Sequence, residues 1–305
     1  MKKKMLELLK KNREDISKTT LNEILNNEEK EIAKAVKETG LQTIEYINRE
    51  KLENSLKTKY IGNEILIYKE VDSTNSVAEF LAESGSDEGT VVISKLQSQG
   101  KGRHGRKWES PSGGIWLSII LKPDMAPSKA PLITLATGVA VAKTLISIGV
   151  DARIKWPNDI LIHDKKVSGI LTEASVKFNA IDYVIVGVGI NNNLNIKMLP
   201  KELQKKITTL KNELQIKVAE TELILKFLNE FEKVYNLFKE EKFEEILDDW
   251  RKMSETIGRF VEIKQTHGKS VKGYAVRISN DGSLILKEKD GNLKKVISGE
   301  CLIKK

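Results

Sequence analysis

Apolar residues come in short dense runs from residue 64 onward, whereas over the first forty residues they recur three or four positions apart. The dense runs at 65–71, 90–94, 115–121, 152–156, 167–176 and 183–190 predict strands, and the stretches 75–84 and 132–148 predict helices. Strand and helix do not alternate regularly, so a mixed sheet flanked by helices is expected. Ile224, Leu228, Phe231, Tyr235 and Phe238 form one stripe of a long helix, whose default role is core packing, and 243–250 adds a second. The last fifty residues change character again. Short strands are expected at 260–264, 271–279, 283–287 and 293–298, with turns at 267–268, 280–282 and 290–292, and a small β-barrel is the natural way to close them.

The N-terminal pattern is helical. Met5, Leu8 and Leu9 share a face, Thr20 and Glu23 have capping-box spacing before Leu21, Ile24 and Leu25, and Ile32, Ala35 and Val36 precede a stop at Gly40. Three short helices so spaced suggest a helix-turn-helix unit, and a helical packing domain has the same pattern. The third helix carries Glu28, Glu29, Glu31 and Glu38, which would repel phosphates in a groove, so DNA binding is the less favoured use. The chain therefore reads as α+β in three parts: a small helical domain at 1–62, a sheet domain at 63–255 and a β-barrel at 256–305.

Composition narrows the class. A hydrophobic share of 40% with 31% charged residues describes a soluble globular chain. The net charge of +8 favours anionic partners, yet residues 1–40 hold ten cations against eight acids, so no basic arm stands out. The single cysteine, Cys301, excludes an intrachain disulfide framework and points to a reducing compartment, here the cytoplasm. The most apolar stretch, 131–150, contains Lys143, hydroxyls and two glycines, which suits a buried helix better than a membrane span.

Candidate chemistry gathers in five stretches. Residues 97–108, QSQGKGRHGRKW, set Gly100, Gly102 and Gly105 among Lys101, Arg103, Arg106 and Lys107. Glycine lets a backbone approach a bound group, and arginine offers paired donors to phosphate or carboxylate, so the loop suits an anionic ligand, although a solvated basic loop has much the same composition. Trp108 reads as a packing residue at its hinge. Asp72-Ser-Thr-Asn75 sits where a strand gives way to a helix, as an N-cap or a polar ligand contact. Lys155-Trp-Pro-Asn-Asp159 ends a strand in a bend, where Asp159 suits either an Asx turn or a nucleotide-bound Mg²⁺. Lys166 opens an apolar strand beside Gly169, and 187–191 ends another strand on Asn191. His104, His163 and His267 are scattered, and neither a GxSxG elbow nor a Walker loop is present. The pattern favours electrostatic grip over covalent catalysis.

In this order DSTN, GKGRHGRKW, KWPNDI, KVSGIL and GVGIN resemble the biotin–protein ligase family, and the following helices and C-terminal barrel, SH3-like in that family, extend the likeness over about 240 residues. Lys101 and His104 stand where many members have arginine. The resemblance implies a two-step reaction. Biotin and MgATP give biotinyl-5′-AMP and pyrophosphate, and a lysine of a biotin carboxyl carrier protein then takes the biotinyl group. It implies biotin contacts from Ser73, Thr74, Asn75, Gln97, Lys101, Gly102, Arg103 and Lys166. It implies ATP or adenylate contacts from Arg106, Lys155, Asn158, Asp159 and Asn191, with Asp159 near Mg²⁺, and catalytic roles for Arg103, Arg106 and Lys166. It also implies a homodimer through a sheet edge. Two neighbouring functions stay open. A bifunctional member would also be a biotin-responsive DNA-binding repressor, though 41–60 lacks the glycine-rich hairpin of a wing. A lipoate–protein ligase would carry an RRxSGGG-like loop, absent here.

Overall fold

The computed structural model describes residues 47–265 and 270–304. The helices expected before residue 47 and the turn at His267 and Gly268 lie outside the described residues. In chain order the elements are α1 (Arg49–Ser55), β1 (Ile65–Tyr68), α2 (Thr74–Glu83), β2 (Val91–Ser94), β3 (Ile115–Leu121), α3 (Ala130–Ile146), β4 (Arg153–Lys155), β5 (Asp159–Ile162), β6 (Lys165–Lys177) and β7 (Ala180–Ile190). They continue with α4 (Lys201–Gln204), α5 (Leu210–Leu214), α6 (Glu220–Lys239), α7 (Phe243–Lys252), β8 (Phe260–Lys264), β9 (Val271–Ile278), β10 (Leu284–Lys287), β11 (Leu293–Val296) and β12 (Glu300–Ile303).

A seven-stranded sheet runs β1-β2-β3-β7-β6-β5-β4. Only its first pair is parallel; the others are antiparallel, so the sheet is mixed as expected. β8 to β12 form a five-stranded antiparallel sheet in the order β11-β10-β9-β8-β12, the C-terminal unit expected from the spacing of turns. Two strands, β5 and β12, escaped the sequence reading. Ile160, Leu161 and Ile162 were hidden behind Pro157, and the Lys155–Asp159 pairing makes KWPND a hairpin turn rather than a strand end. Leu302 and Ile303 are too close to the chain's lysine-rich end to give a period.

α3 is apolar on nearly every side because it is enclosed. Twelve of its seventeen residues are buried among the sheet, α6 and α7. The span Pro127–Ile146 is long and apolar enough to cross a membrane by length and composition, and it serves here as the core helix. On α6 the expected stripe is buried, and Phe231, Tyr235 and Phe238 stack in succession with ring centroids 5.9 Å apart.

Residues 47–62 join this same core. Ile47, Leu52 and Ile61 are buried in it, and the Glu232 carboxylate on α6 accepts backbone N–H bonds from Lys59 at 2.6 Å, Tyr60 at 3.0 Å and Ile61 at 2.9 Å. Three donors on one carboxylate pin the segment to α6, so packing continues unbroken across the boundary expected at residue 62. Helix propensity alone could not show this, because the partner lies about 170 residues away in the chain.

Candidate active site

The chemistry gathers where the C-terminal end of β2, the start of α2, the β4–β5 turn and the first residues of β6 meet. All the site residues anticipated from the sequence line one cleft of about 1070 Å³.

The loop 97–108 folds back on itself. Lys101 and Lys107 pair in antiparallel fashion, Gly102 N–H donates to Arg106 O at 2.7 Å, and Trp108 N–H donates to Gly100 O at 2.8 Å. Gly100 is obligatory, since a Cβ there would lie 2.4 Å from Trp108 O. His104 at the tip has φ 57°, and desolvation with the Arg103 and Arg106 charges lowers its pKa below the ordinary value. Arg103 turns back from this tip to donate to Asn158 Oδ1 at 3.0 Å and Gly299 O at 3.2 Å. Arg106 forms a two-pronged pair with Glu300 of β12, at 2.8 and 2.5 Å. The loop is thus latched to the C-terminal unit, and Glu300 was out of reach of motif reading because the latch spans 194 residues.

The floor is made of glycines. Gly169 of β6 and Gly189 of β7 are paired neighbours, and a Cβ on them would come within 2.9 and 2.7 Å of the Trp108 indole. Trp108 therefore packs on the cleft floor itself rather than at a hinge. Lys166 Nζ stands 4.8 Å from the centre of its ring, and Trp116 meets it edge-on with centroids 6.3 Å apart.

Asp159 organises the cations. Its Oδ1 pairs with Lys166 Nζ at 2.5 Å and its Oδ2 with Lys155 Nζ at 2.9 Å. Burial acts to raise this carboxyl, but the two ammonium groups outweigh burial and hold it at about 2. Both oxygens are engaged, and among the described residues no three His, Cys, Asp or Glu side chains could hold a metal. Asp159 in this arrangement does not fit a protein-held magnesium; it aims two lysines instead. Because the folded pKa lies below the ordinary 3.8, the pairing contributes fully above that value and is lost as pH falls through about 2. The kcat/KM profiles of wild type and Asp159→Asn between pH 5 and 8 are therefore expected to differ in height and not in shape. A limb in that window that vanishes in the variant would refute this role.

Further back several polar groups are already paired, while Trp108 Nε1 and Ser168 Oγ are buried without a hydrogen-bond partner among the described residues. Thr74 N–H donates to Gln97 Oε1 at 2.7 Å, and Asn75, 4% exposed, donates to Glu173 Oε2 at 2.6 Å. Asn158 donates to Ile170 O at 2.8 Å. Asn191 holds the backbone of Lys166, donating to its carbonyl at 3.3 Å. Ser73, buried at the N-cap of α2, makes no side-chain cap bond, so its hydroxyl is not committed to the helix. Lys101 is exposed on the loop. Cys301 also reaches the cleft, but burial pushes its thiol up to about 12, so it stays neutral.

Comparison with known proteins agrees with this geometry. Residues 67–191 match the biotin/lipoate A/B protein ligase family and residues 256–304 the biotin protein ligase C-terminal domain. The bifunctional ligase/repressor BirA of Bacillus subtilis is 34% identical over 271 residues, spanning 87% of this chain and 83% of that protein. The chain belongs to the biotin protein ligase family. The biotin–[acetyl-CoA-carboxylase] ligase of Mycobacterium tuberculosis is 31% identical, over 77% of this chain and 89% of its own. Among solved structures, the biotin protein ligase from Aquifex aeolicus in complex with biotin and ATP superposes with a TM-score of 0.68 at 30% identity, covering 79% of this chain and 99% of that one.

Proposed function

We infer that the protein is an ATP-dependent biotin–protein ligase. A carboxylate oxygen of biotin attacks the α-phosphorus of ATP, pyrophosphate leaves, and biotinyl-5′-AMP remains bound. The ε-amine of a lysine on a biotin carboxyl carrier domain then attacks the acyl carbon, AMP leaves, and the amine's surplus proton passes to solvent.

The observation that supports this most directly is the convergence of Lys155, Lys166 and Arg103 around the Asn158–Asp159 turn, beneath a glycine-rich loop. The first step brings a carboxylate to a triphosphate, so fixed cations at the meeting point lower its barrier. The ammonium of Lys166 is placed to draw the biotin carboxylate in and to stabilise charge that builds on the phosphoryl oxygens. Ser73, Thr74 and Gln97 form the biotin end, with Asn75 behind them. Lys101, Gly102 and Arg103 cover the adenylate, whose anhydride must be kept from water. Arg106 reaches ATP phosphates once it leaves Glu300, and Lys155, Asn158 and Asn191 frame the nucleotide. Magnesium, as part of the MgATP substrate, would offset charge on the phosphates, and the described residues would add no protein cage of their own.

A three-part division whose first boundary falls at residue 47 instead of 62, with the second at 255–256, a homodimer and a cytoplasmic site of action belong to the same proposal. The family name shared with ligase/repressors raises DNA binding for the N-terminal segment, but the four acids between residues 28 and 38 argue against it.

Biotin-dependent exchange of pyrophosphate into ATP, followed by a mass gain of one biotinyl group on a carrier domain, is the expected result. Incorporation of lipoate in place of biotin under the same conditions would overturn the assignment of substrate.

A further inference from the structure

One border of the cleft, beside Lys166, is a segment that takes no part in the reaction above. After β7 the chain passes through α4 and returns to the start of β6, where Lys166 N–H donates to Lys206 O at 2.9 Å and Thr208 N–H donates to Lys166 O at 3.0 Å. The segment's apolar side chains, Leu199, Leu203 and Ile207, line the cleft. Its outer side is cationic. The run 197–211 holds five lysines against one acid, Glu202, so it cannot neutralise itself. Lys205 and Lys206 are exposed at the cleft edge, Lys165 joins them from β6, and Lys201 lies one turn before Lys205.

Elsewhere exposed lysines meet acids, as Lys107 meets Glu109 at 3.1 Å and Lys177 meets Asp182 at 2.7 Å. The side chains of Lys165, Lys201, Lys205 and Lys206 have no ion-pair partner among the described residues. Glu213, on the next helix, is taken by His163 Nδ1 at 3.1 Å and by the Thr208 hydroxyl. Met198, 78% exposed in the same segment, adds an adaptable apolar contact. Such an edge repels itself and suits an anionic visitor.

Of the substrates, the carrier domain is the one still outside once the adenylate has formed. Its acceptor lysine must enter a cleft lined by Lys155, Lys166 and Arg103, which repel an ammonium. Acids around that lysine would offset the repulsion, and they would meet these four exposed cations where the lysine has to enter. We propose that Lys165, Lys201, Lys205 and Lys206, with Met198 among them, form the lip on which the carrier domain docks, and that this domain presents acidic side chains beside its acceptor lysine. This rests on the biotin-ligase reading above. The lip touches no reacting atom; it speeds encounter and seats the domain, by an attraction that salt screens.

The test compares wild type with the combined variant Lys165→Gln, Lys201→Gln, Lys205→Gln and Lys206→Gln, with an isolated biotin carboxyl carrier domain as acceptor. In the variant kcat/KM for the carrier domain is expected to fall about tenfold or more at low ionic strength, and less than about threefold in about 0.5 M salt. KM for ATP in pyrophosphate exchange should stay within about twofold of wild type, as should capture of biotinyl-AMP by hydroxylamine, a small neutral nucleophile that needs no docking. Changing the acids beside the carrier's acceptor lysine to amides should slow transfer by wild type and add little in the variant. The substituted lysines are all exposed, so the melting temperature should hardly change. Carrier transfer within about twofold of wild type, or a loss that salt does not reduce, overturns the proposal. An equal loss in the ATP or hydroxylamine reaction also overturns it, by assigning these lysines to the nucleotide. Wild-type protein that shows no biotin-dependent exchange overturns the ligase reading itself, whereas normal exchange with unaffected carrier transfer overturns the lip alone.

Discussion

Replacing Lys166 by methionine is expected to slow formation of the adenylate by about a hundredfold to a thousandfold, the loss seen when one preorganised donor to developing charge is removed. Lys166 is held from three sides. Asp159 grips its ammonium at 2.5 Å, the Trp108 ring lies beneath it, and its backbone is fixed by Lys206 O at 2.9 Å and by Thr208 N–H at 3.0 Å. Such anchoring means that little reorganisation is needed when charge appears on the reacting oxygens. Methionine keeps the length and the apolar stem, and Asp159 retains Lys155, so the melting temperature should change little. Single-turnover formation of biotinyl-AMP measures the loss directly. A rate within about tenfold of wild type would remove Lys166 from the chemical step.

The second large effect falls on retention rather than on synthesis. In Arg103→Gly, release of bound biotinyl-AMP should accelerate about a hundredfold, and lysines of an unrelated bystander protein should become biotinylated. Arg103 fastens the loop to both Asn158 and the carbonyl of Gly299, and a net hydrogen bond to a charged group is worth about 1.5–3 kcal/mol, so losing two contacts supports that size of change. Glycine also frees the backbone at a tip that already bends through His104. The Arg106–Glu300 pair persists in this variant but is surface-exposed and screened, so it holds the loop only weakly. The release rate of labelled adenylate, with mass spectrometry of the bystander, separates this from a simple loss of activity. An unchanged release rate would argue against the cover role.

The site was legible to different depths. The loop 97–108 declared itself because glycine and arginine are dense there, and Lys166 because a cation opens an apolar strand. Glu173 gave no such signal: it looks like an ordinary exposed strand residue, and the Asn75 amide that it meets lies 98 residues away. The glycines of GVGIN were visible, but their purpose was not. They clear space for Asn75 and Trp108, whose own positions are far away in sequence.

What the sequence determined by itself are the features carried by local pattern. Strand runs, the stripe on α6, turn residues in the C-terminal unit and the five motifs all depend on neighbours within a few residues, where periodicity and backbone preference act. Only the tertiary structure decided that residues 47–62 belong to the main core, that Asp159 aims two lysines, and that β12 latches the loop through Glu300. Each depends on a contact between segments brought together by burial of the core, and burial is non-directional: it dictates which residues go inside, not which distant pairs will meet there.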